Sequence, residues 1–193
     1  MTTEKLTGIL LCGGKSLRMG TDKALLELKS MPMVTYPLKI MQQFCSEILI
    51  SVNDRRLDFL GYPTIRDQIQ DIGPMGGLQA CLKYSTNNLN LVLACDMPLI
   101  NGLLMKKMIW VAEQYDAVVP MLNHRPEPLY ALYKKNILEA VEQSIGQKVY
   151  SLQKLLSKLN VCYIETEDDQ INELVNVNTP SEIENYERLS KLS

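Results

Sequence analysis

Two adjacent glycines, Gly13 and Gly14, stand directly after an apolar run at residues 9–12 and are followed by Lys15, Ser16, Arg18, Gly20, Asp22 and Lys23. Glycine has no Cβ and tolerates positive φ, so backbone N–H groups in such a loop can come close to an anion. Lys15, Arg18 and Lys23 outnumber the one acid, Asp22, and the surplus positive charge suits a polyphosphate. The spacing excludes two common phosphate loops. A P-loop needs a glycine, four residues and then Gly-Lys-Ser/Thr; counting back from Gly14-Lys15-Ser16 places Ile9 at the first position, with Gly8 one residue too early. The dinucleotide fingerprint G-x-G-x-x-G fails as well, because Gly13, Gly14 and Gly20 have the wrong separations.

Two carboxylates stand at the ends of strand-like runs. Asp96 follows residues 91–95, which are apolar at every position, and Asp67 follows a shorter run at residues 62–65. A lone carboxylate at a strand end either caps the next element or faces a cation. Mg²⁺ favours oxygen ligands, keeps several waters and needs only one or two protein carboxylates when phosphates supply the rest. Asp67 taken alone has the character of a turn former, and Asp71 reads as a loop residue. The only histidine, His124, lies in a polar loop beside Arg125 and reads as a surface residue, and the chain offers no Ser-His-Asp set.

These residues need a scaffold, and the pattern supplies one. Strand-like runs at residues 9–12, 48–52, 62–65, 91–95, 117–121, 129–133 and 161–164 alternate with helical stretches. The predicted helices run from Pro32 to Phe44, from residue 78 to 84 after the glycine loop at 73–77, over 103–111, around 137–143 and over 151–159. The run at 129–133 returns from the loop at 123–128 and can pair antiparallel with 117–121. Thr179-Pro180-Ser181-Glu182 forms a capping box that opens a last helix. Alternation with fully apolar strands predicts an α/β fold, a doubly wound and mostly parallel sheet with helices on both faces. Ligands bind such sheets at the carboxyl ends of the strands, the edge that would gather the loop after Cys12, the turn at residues 51–53, Asp67 and Asp96.

Composition narrows the function. A chain of 193 residues suits one domain, and 20 basic against 22 acidic residues leave no field to attract nucleic acid or an anionic membrane. The five cysteines, Cys12, Cys45, Cys81, Cys95 and Cys162, form no C-x-x-C pair; they read as free thiols in a reducing compartment, and no zinc site is expected. The lack of a signal-like N-terminus or a membrane-length apolar run gives the expectation of a cytoplasmic protein.

Leu11, Gly13, Gly14, Ser16, Arg18, Met19, Gly20, Asp22, Lys23, Leu25 and Leu26 fit, without a gap, the pattern L-x-G-G-x-S-x-R-M-G-x-D-K-x-L-L. That pattern resembles the loop of nucleotidyltransferases, and within them the molybdenum cofactor guanylyltransferases, the MobA family. The resemblance implies a single Rossmann-like domain over residues 1–193 that transfers GMP from GTP to molybdopterin, with Mg²⁺ as cofactor and pyrophosphate released. It implies a GTP site at Leu11, Cys12, Gly13, Lys23, Asp67 and Asp96. Leu11, Cys12 and Gly13 would act through their backbone, and the N–H groups of residues 12–15 would hold phosphate or ribose. Arg18 and Lys23 would offset charge on the departing pyrophosphate, and Asp96, in the context Cys95-Asp96-Met97-Pro98, would bind the metal. Arg125, Asn176 and Asn178 are the candidates on the pterin side, in stretches that resemble the family's at residues 125–133 and 175–180. Ser51 departs from relatives that carry asparagine there. The resemblance also implies contact with other proteins of molybdenum cofactor biosynthesis or with apo-molybdoenzymes. Cytidylyl transfer to molybdopterin, nucleotidyl transfer to a sugar phosphate and nucleotide binding without catalysis are the alternative readings.

Overall fold

The computed structural model describes residues 5–13, 23–167, 170–177 and 182. In chain order its elements are β1 (Leu6–Leu11), β2 (Glu27–Leu28), β3 (Met31–Pro32), α1 (Thr35–Phe44), β4 (Cys45–Ser51), β5 (Thr64–Ile65), α2 (Pro74–Tyr84), β6 (Leu89–Ala94), α3 (Leu103–Val111), β7 (Ala117–Leu122), β8 (Arg125–Pro126), β9 (Tyr130–Lys134), α4 (Leu138–Gly146), α5 (Leu152–Leu156) and β10 (Val161–Glu165). The main sheet is ordered β10-β7-β9-β6-β1-β4-β5, with β8 paired to β7. β1 lies between β4 and β6 and runs parallel to both. β9 is antiparallel to its neighbours β6 and β7, as a strand returning from the β7–β8 turn must be.

β1 and β6 are buried at every residue, because both sheet faces are covered. Side chains alternate across a strand, so Leu6 and Leu10 meet Leu38 and Met41 of α1 and Leu104 and Met108 of α3 in one layer. Ile9 and Leu11 face the opposite layer, with Leu78 and Leu82 of α2, Val141 of α4 and Leu155 of α5. This is the doubly wound, mostly parallel arrangement read from the strand pattern.

Two helix starts differ from the sequence reading. Pro32 belongs to a β2–β3 hairpin, not to the first turn of α1. Lys29 and Ser30, at φ 49 and 61, make the two-residue turn that joins Leu28 to Met31. The sequence marks a turn of the chain at residues 29–32, but strands of two residues each are too short for periodicity to register. α2 begins at Pro74 rather than at residue 78, so Gly76 and Gly77 lie in its first turn and not in the preceding loop. They are there for close approach: a Cβ on Gly77 would stand 2.3 Å from Ser51 Oγ and 2.9 Å from Leu11 Cδ2. Gly73 precedes the helix at φ 66 and ψ −153, a conformation open essentially to glycine alone. The capping box from Thr179 lies outside the described residues, apart from Glu182.

α3 is capped from about seventy residues downstream. The carboxylate of Glu173, 0 % exposed, accepts from the N–H groups of Gly102 and Leu104, both at 3.0 Å, and of Asn101 at 3.4 Å. It also accepts from the Tyr130 hydroxyl at 2.9 Å. One side chain thus joins the start of α3, the sheet strand β9 and the segment 170–177. Among the described residues all five cysteines are free, and burial raises the Cys45 thiol to about 12. No helix among the described residues is long and apolar enough to cross a membrane.

Gly77→Ala should lower stability by about 1–3 kcal/mol from overpacking, only partly offset by the helix propensity that alanine gains. Gly146→Ala, whose Cβ would meet nothing within 4 Å, should be neutral or slightly stabilising. Equal melting temperatures for the two variants would contradict the close approach of α2 to β4. Glu173→Ala orphans three backbone donors and a hydroxyl, and should cost about 3 kcal/mol or more in denaturant unfolding. Glu173→Gln keeps one acceptor oxygen and should fall between wild type and alanine; an alanine variant as stable as wild type would rule out the capping role.

Candidate active site

β1, β4, β5 and β6 run parallel, and β7 runs the same way because β9 is antiparallel to both β6 and β7. Their carboxyl ends therefore share one edge, which carries Gly13, Asn53, Asp67, Asp96 and the β7–β8 turn with Arg125. The edge predicted from strand polarity is the edge observed.

A cavity of about 320 Å³ opens there. Leu11 and Gly13 line it from β1, Ser51 and Asn53 from β4, Asp67 and Asp71 from the loop after β5, and Gly73, Pro74 and Gly77 from the start of α2. Of the residues expected to act through their backbone, Leu11 and Gly13 are on the wall. The Cys12 side chain is buried in the layer that holds α1 and α3, away from the cavity wall. Its N–H donates to the Ser51 carbonyl at 2.9 Å, extending the β1–β4 ladder, and so is not available to a phosphate as the sequence reading supposed. Its carbonyl accepts from Arg56 Nη2 at 2.7 Å, while Arg56 Nη1 pairs with Asp54 at 2.9 Å. Arg56 thereby pins the point at which the glycine loop leaves the sheet.

Asp67 is held from two sides. Asn53 Nδ2 donates to Asp67 Oδ2 at 3.1 Å, and Asn53 Oδ1 accepts from the Asp67 N–H at 2.9 Å. Ser51 Oγ, on a residue only 2 % exposed, donates to Asp67 Oδ1 at 3.4 Å. Ser51 is therefore part of the carboxylate's support. Among the described residues the cavity wall carries two acids, Asp67 and Asp71, and no lysine or arginine. These carboxylates accept hydrogen bonds and suit the part of a ligand that offers N–H or O–H groups.

The cation lies on the other side of the end of β1. Lys23 begins a short 3-10 turn, Lys23–Leu25, and the following segment is fixed by backbone bonds from Val34 N–H to Ala24 and from Met33 N–H to Leu26. Lys23 Nζ lies 3.8 Å from Asp96 Oδ2, with side chains 24 % and 21 % exposed. Burial raises the Asp96 carboxyl above the ordinary carboxylate range, although Lys23 and a backbone hydrogen bond oppose it. The Asp96 carbonyl accepts from the Val177 N–H at 2.9 Å, which brings exposed Asn176 beside this loop. Arg125 is exposed at the same edge. His124 is exposed next to it, its Nδ1 3.9 Å from Glu165. Gly14, Lys15, Ser16, Arg18, Gly20, Asp22 and Asn178 lie outside the described residues.

The sequence reading placed the turn at residues 51–53 at this edge without giving Asn53 a role, missed Arg56, Gly77 and Glu173 as parts of this region and left Asp71 as a loop residue, whereas Asp71 also forms cavity wall. Gly77 carried a signal: two glycines next to a helix start indicate close packing as well as a loop. Asn53, Arg56 and Glu173 carried none, because each works on a partner between 14 and 72 residues distant.

Residues 8–162 match the family described as the MobA-like NTP transferase domain. A probable molybdenum cofactor guanylyltransferase of Pelotomaculum thermopropionicum is 34% identical over 184 residues, covering 92% of this chain and 89% of the relative. One of Carboxydothermus hydrogenoformans is 31% identical over 194 residues, covering 98% and 97%. The crystal structure of molybdopterin-guanine dinucleotide biosynthesis protein A from Archaeoglobus fulgidus superposes with a TM-score of 0.81 at 24% identity, covering 97% of this chain and 100% of that one. A 2-C-methyl-D-erythritol 4-phosphate cytidylyltransferase from Thermus thermophilus shares the fold at a TM-score of 0.73 and 15% identity, covering 95% and 98%. With four-fifths of its length under the family match and near-full-length relatives above 30% identity, the chain belongs to the MobA-like NTP transferase family.

Proposed function

We propose that this protein transfers GMP from GTP to molybdopterin, releasing pyrophosphate and forming the guanine dinucleotide form of the cofactor. The observation that carries the reading is the division of one sheet edge around the end of β1. An acceptor-lined cavity that suits a base and its ribose lies on the β4 side, and the Lys23–Asp96 pair lies on the β6 side. Relatives of nearly full length that are probable molybdenum cofactor guanylyltransferases support the same reading.

In this reaction a terminal phosphate oxygen of molybdopterin bonds to the α-phosphorus of GTP, and the bond from that phosphorus to the bridging oxygen breaks. Little covalent chemistry falls to the protein; it must align the groups and oppose charge. Asp67 accepts from the base. Lys23, with Arg18 from the glycine loop, faces the phosphates and stabilises the pyrophosphate as it leaves. Arg125, Asn176 and Asn178 are assigned to the pterin side, where the backbone bond to Asp96 brings residue 176 beside the phosphates. Five free thiols suit a reducing compartment, and the cytoplasm is proposed as the site of action.

Asp96 fits a magnesium ion. Its carboxylate stands partly buried at the end of β6, 3.8 Å from Lys23 Nζ, and burial raises its pKa while Lys23 opposes the shift. No group of three or more His, Cys, Asp or Glu among the described residues could enclose a metal, so the donor set suits an ion shared between one carboxylate and nucleotide phosphates. Bound there, Mg²⁺ would supply positive charge at the phosphate oxygens.

Purified protein with Mg²⁺ and molybdopterin should release pyrophosphate from GTP with a kcat/KM at least about a hundredfold above that for ATP, CTP or UTP, because the wrong base leaves the cavity's acceptors unpaired. Equal turnover of CTP would overturn the guanylyl assignment. Asp96→Asn keeps shape and removes charge; its melting temperature should stay near wild type while turnover falls on the order of a hundredfold. Raising Mg²⁺ should recover part of the loss. A variant that melts early yet releases pyrophosphate at the wild-type rate would mark Asp96 as a structural cap.

A further inference from the structure

Resting on the reading of a guanylyl site, we infer that Asn53 is a positioning residue that sets nucleotide preference by fixing the plane of the Asp67 carboxylate. The two residues make a closed two-point pair, side-chain amide to carboxylate at 3.1 Å and backbone N–H to side-chain carbonyl at 2.9 Å. Only one orientation of the Asn53 amide satisfies both contacts, since its carbonyl must face the N–H and its amino group the carboxylate. The frame behind the pair is rigid. Val52 N–H donates to the Ile65 carbonyl at 3.0 Å, which keeps the ends of β4 and β5 in register. Ser51 Oγ reaches the other carboxylate oxygen, and α2 lies so close behind Ser51 that only glycine fits at residue 77. Each Asp67 oxygen therefore has one protein donor and keeps acceptor capacity toward the cavity.

Base chemistry gives this geometry its consequence. Guanine presents two adjacent donors, N1–H and the N2 amino group, which match the two oxygens of a carboxylate held in one plane. Adenine and cytosine each present an amino donor beside a bare ring nitrogen, whose lone pair opposes the second oxygen. Uracil offers one N–H between two carbonyls. A fixed carboxylate separates these cases, whereas one free to rotate can take a single hydrogen bond from an amino group and tolerate the wrong base. Asn53 is itself exposed, so its removal leaves no buried cavity.

The test compares wild type, Asn53→Ala and Asn53→Asp, measuring pyrophosphate release and calorimetric Kd with GTP, ATP, CTP and UTP. In Asn53→Ala the preference for GTP should fall about tenfold, the equivalent of one charge-assisted hydrogen bond, mainly through KM for GTP, with the melting temperature close to wild type. Asn53→Asp retains an acceptor for the Asp67 N–H but sets a second anion against the carboxylate, so it should lose at least as much preference. A variant that slows all four nucleotides equally, or that melts early with its preference intact, overturns the inference. So does loss of preference in alanine without loss in aspartate, because loop anchoring would then be the whole effect. If wild type itself shows no preference for GTP, the guanylyl reading fails first; if wild type prefers GTP and Asn53→Ala prefers it equally, only the role of Asn53 fails.

Discussion

At the end of β1 the Leu11 carbonyl accepts from the Cys95 N–H at 3.2 Å on one side, while the Cys12 N–H donates to the Ser51 carbonyl at 2.9 Å on the other. Three chain segments, after β1, β4 and β6, are thereby forced to leave the sheet at one height. A strand buried on both faces cannot shift by one residue without turning its apolar side chains to the wrong layer, so this height is fixed by the whole core. What the three segments carry follows from it: Gly13 at the centre, Ser51 and Asn53 on one side, and Asp96 on the other. Arg56 reinforces the junction from outside the ladder by holding the Cys12 carbonyl.

Charge is divided along the same line. On the β4 side, Asp67 and Asp71 face the cavity without a lysine or arginine among its described lining residues, and the first turn of α2 supplies the partial positive charge of a helix start beside Asp67. On the β6 side, Lys23 Nζ stands 3.8 Å from Asp96, whose carboxyl burial raises above its ordinary range while Lys23 opposes the shift. A nucleotide has the matching polarity, donors on its base and anionic oxygens on its phosphates. The Glu173 cap and the Val177 bond to Asp96 tie segment 170–177 to this second half, which gives that segment a place at the edge without a strand of its own.

The sheet class, the edge that gathers the loops and most strands were legible because fully apolar runs such as residues 91–95 admit few other readings. The two helix starts were not. Lys29 and Ser30 adopt left-handed conformations that their residue types do not advertise, and Gly76 and Gly77 resemble a loop until the strand behind them is seen. Leu11, Gly13, Asp67 and Asp96 were placed at this edge through a local motif or a strand end. Cys12 was placed correctly at the edge, but its N–H belongs to the sheet ladder, a matter of where a strand's hydrogen bonds stop. The contacts of Asn53, Arg56 and Glu173 lay beyond sequence reading, because a side chain that works by holding a distant partner leaves no periodicity.

The fold by itself does not choose a base. A cytidylyltransferase shares it at a TM-score of 0.73 and 15% identity, so the fold persists through a wide change of sequence. Backbone groups at residues 11–13 sit at the junction and are constrained by the sheet, which leaves them little room to specialise. Asn53 and Asp67 meet instead in the short loops after β4 and β5, where Asn53 Nδ2 reaches the carboxylate at 3.1 Å and Ser51 Oγ, from the last residue of β4, at 3.4 Å. These loops lie off the sheet ladder, so within one scaffold the hold on this carboxylate can change without moving a strand.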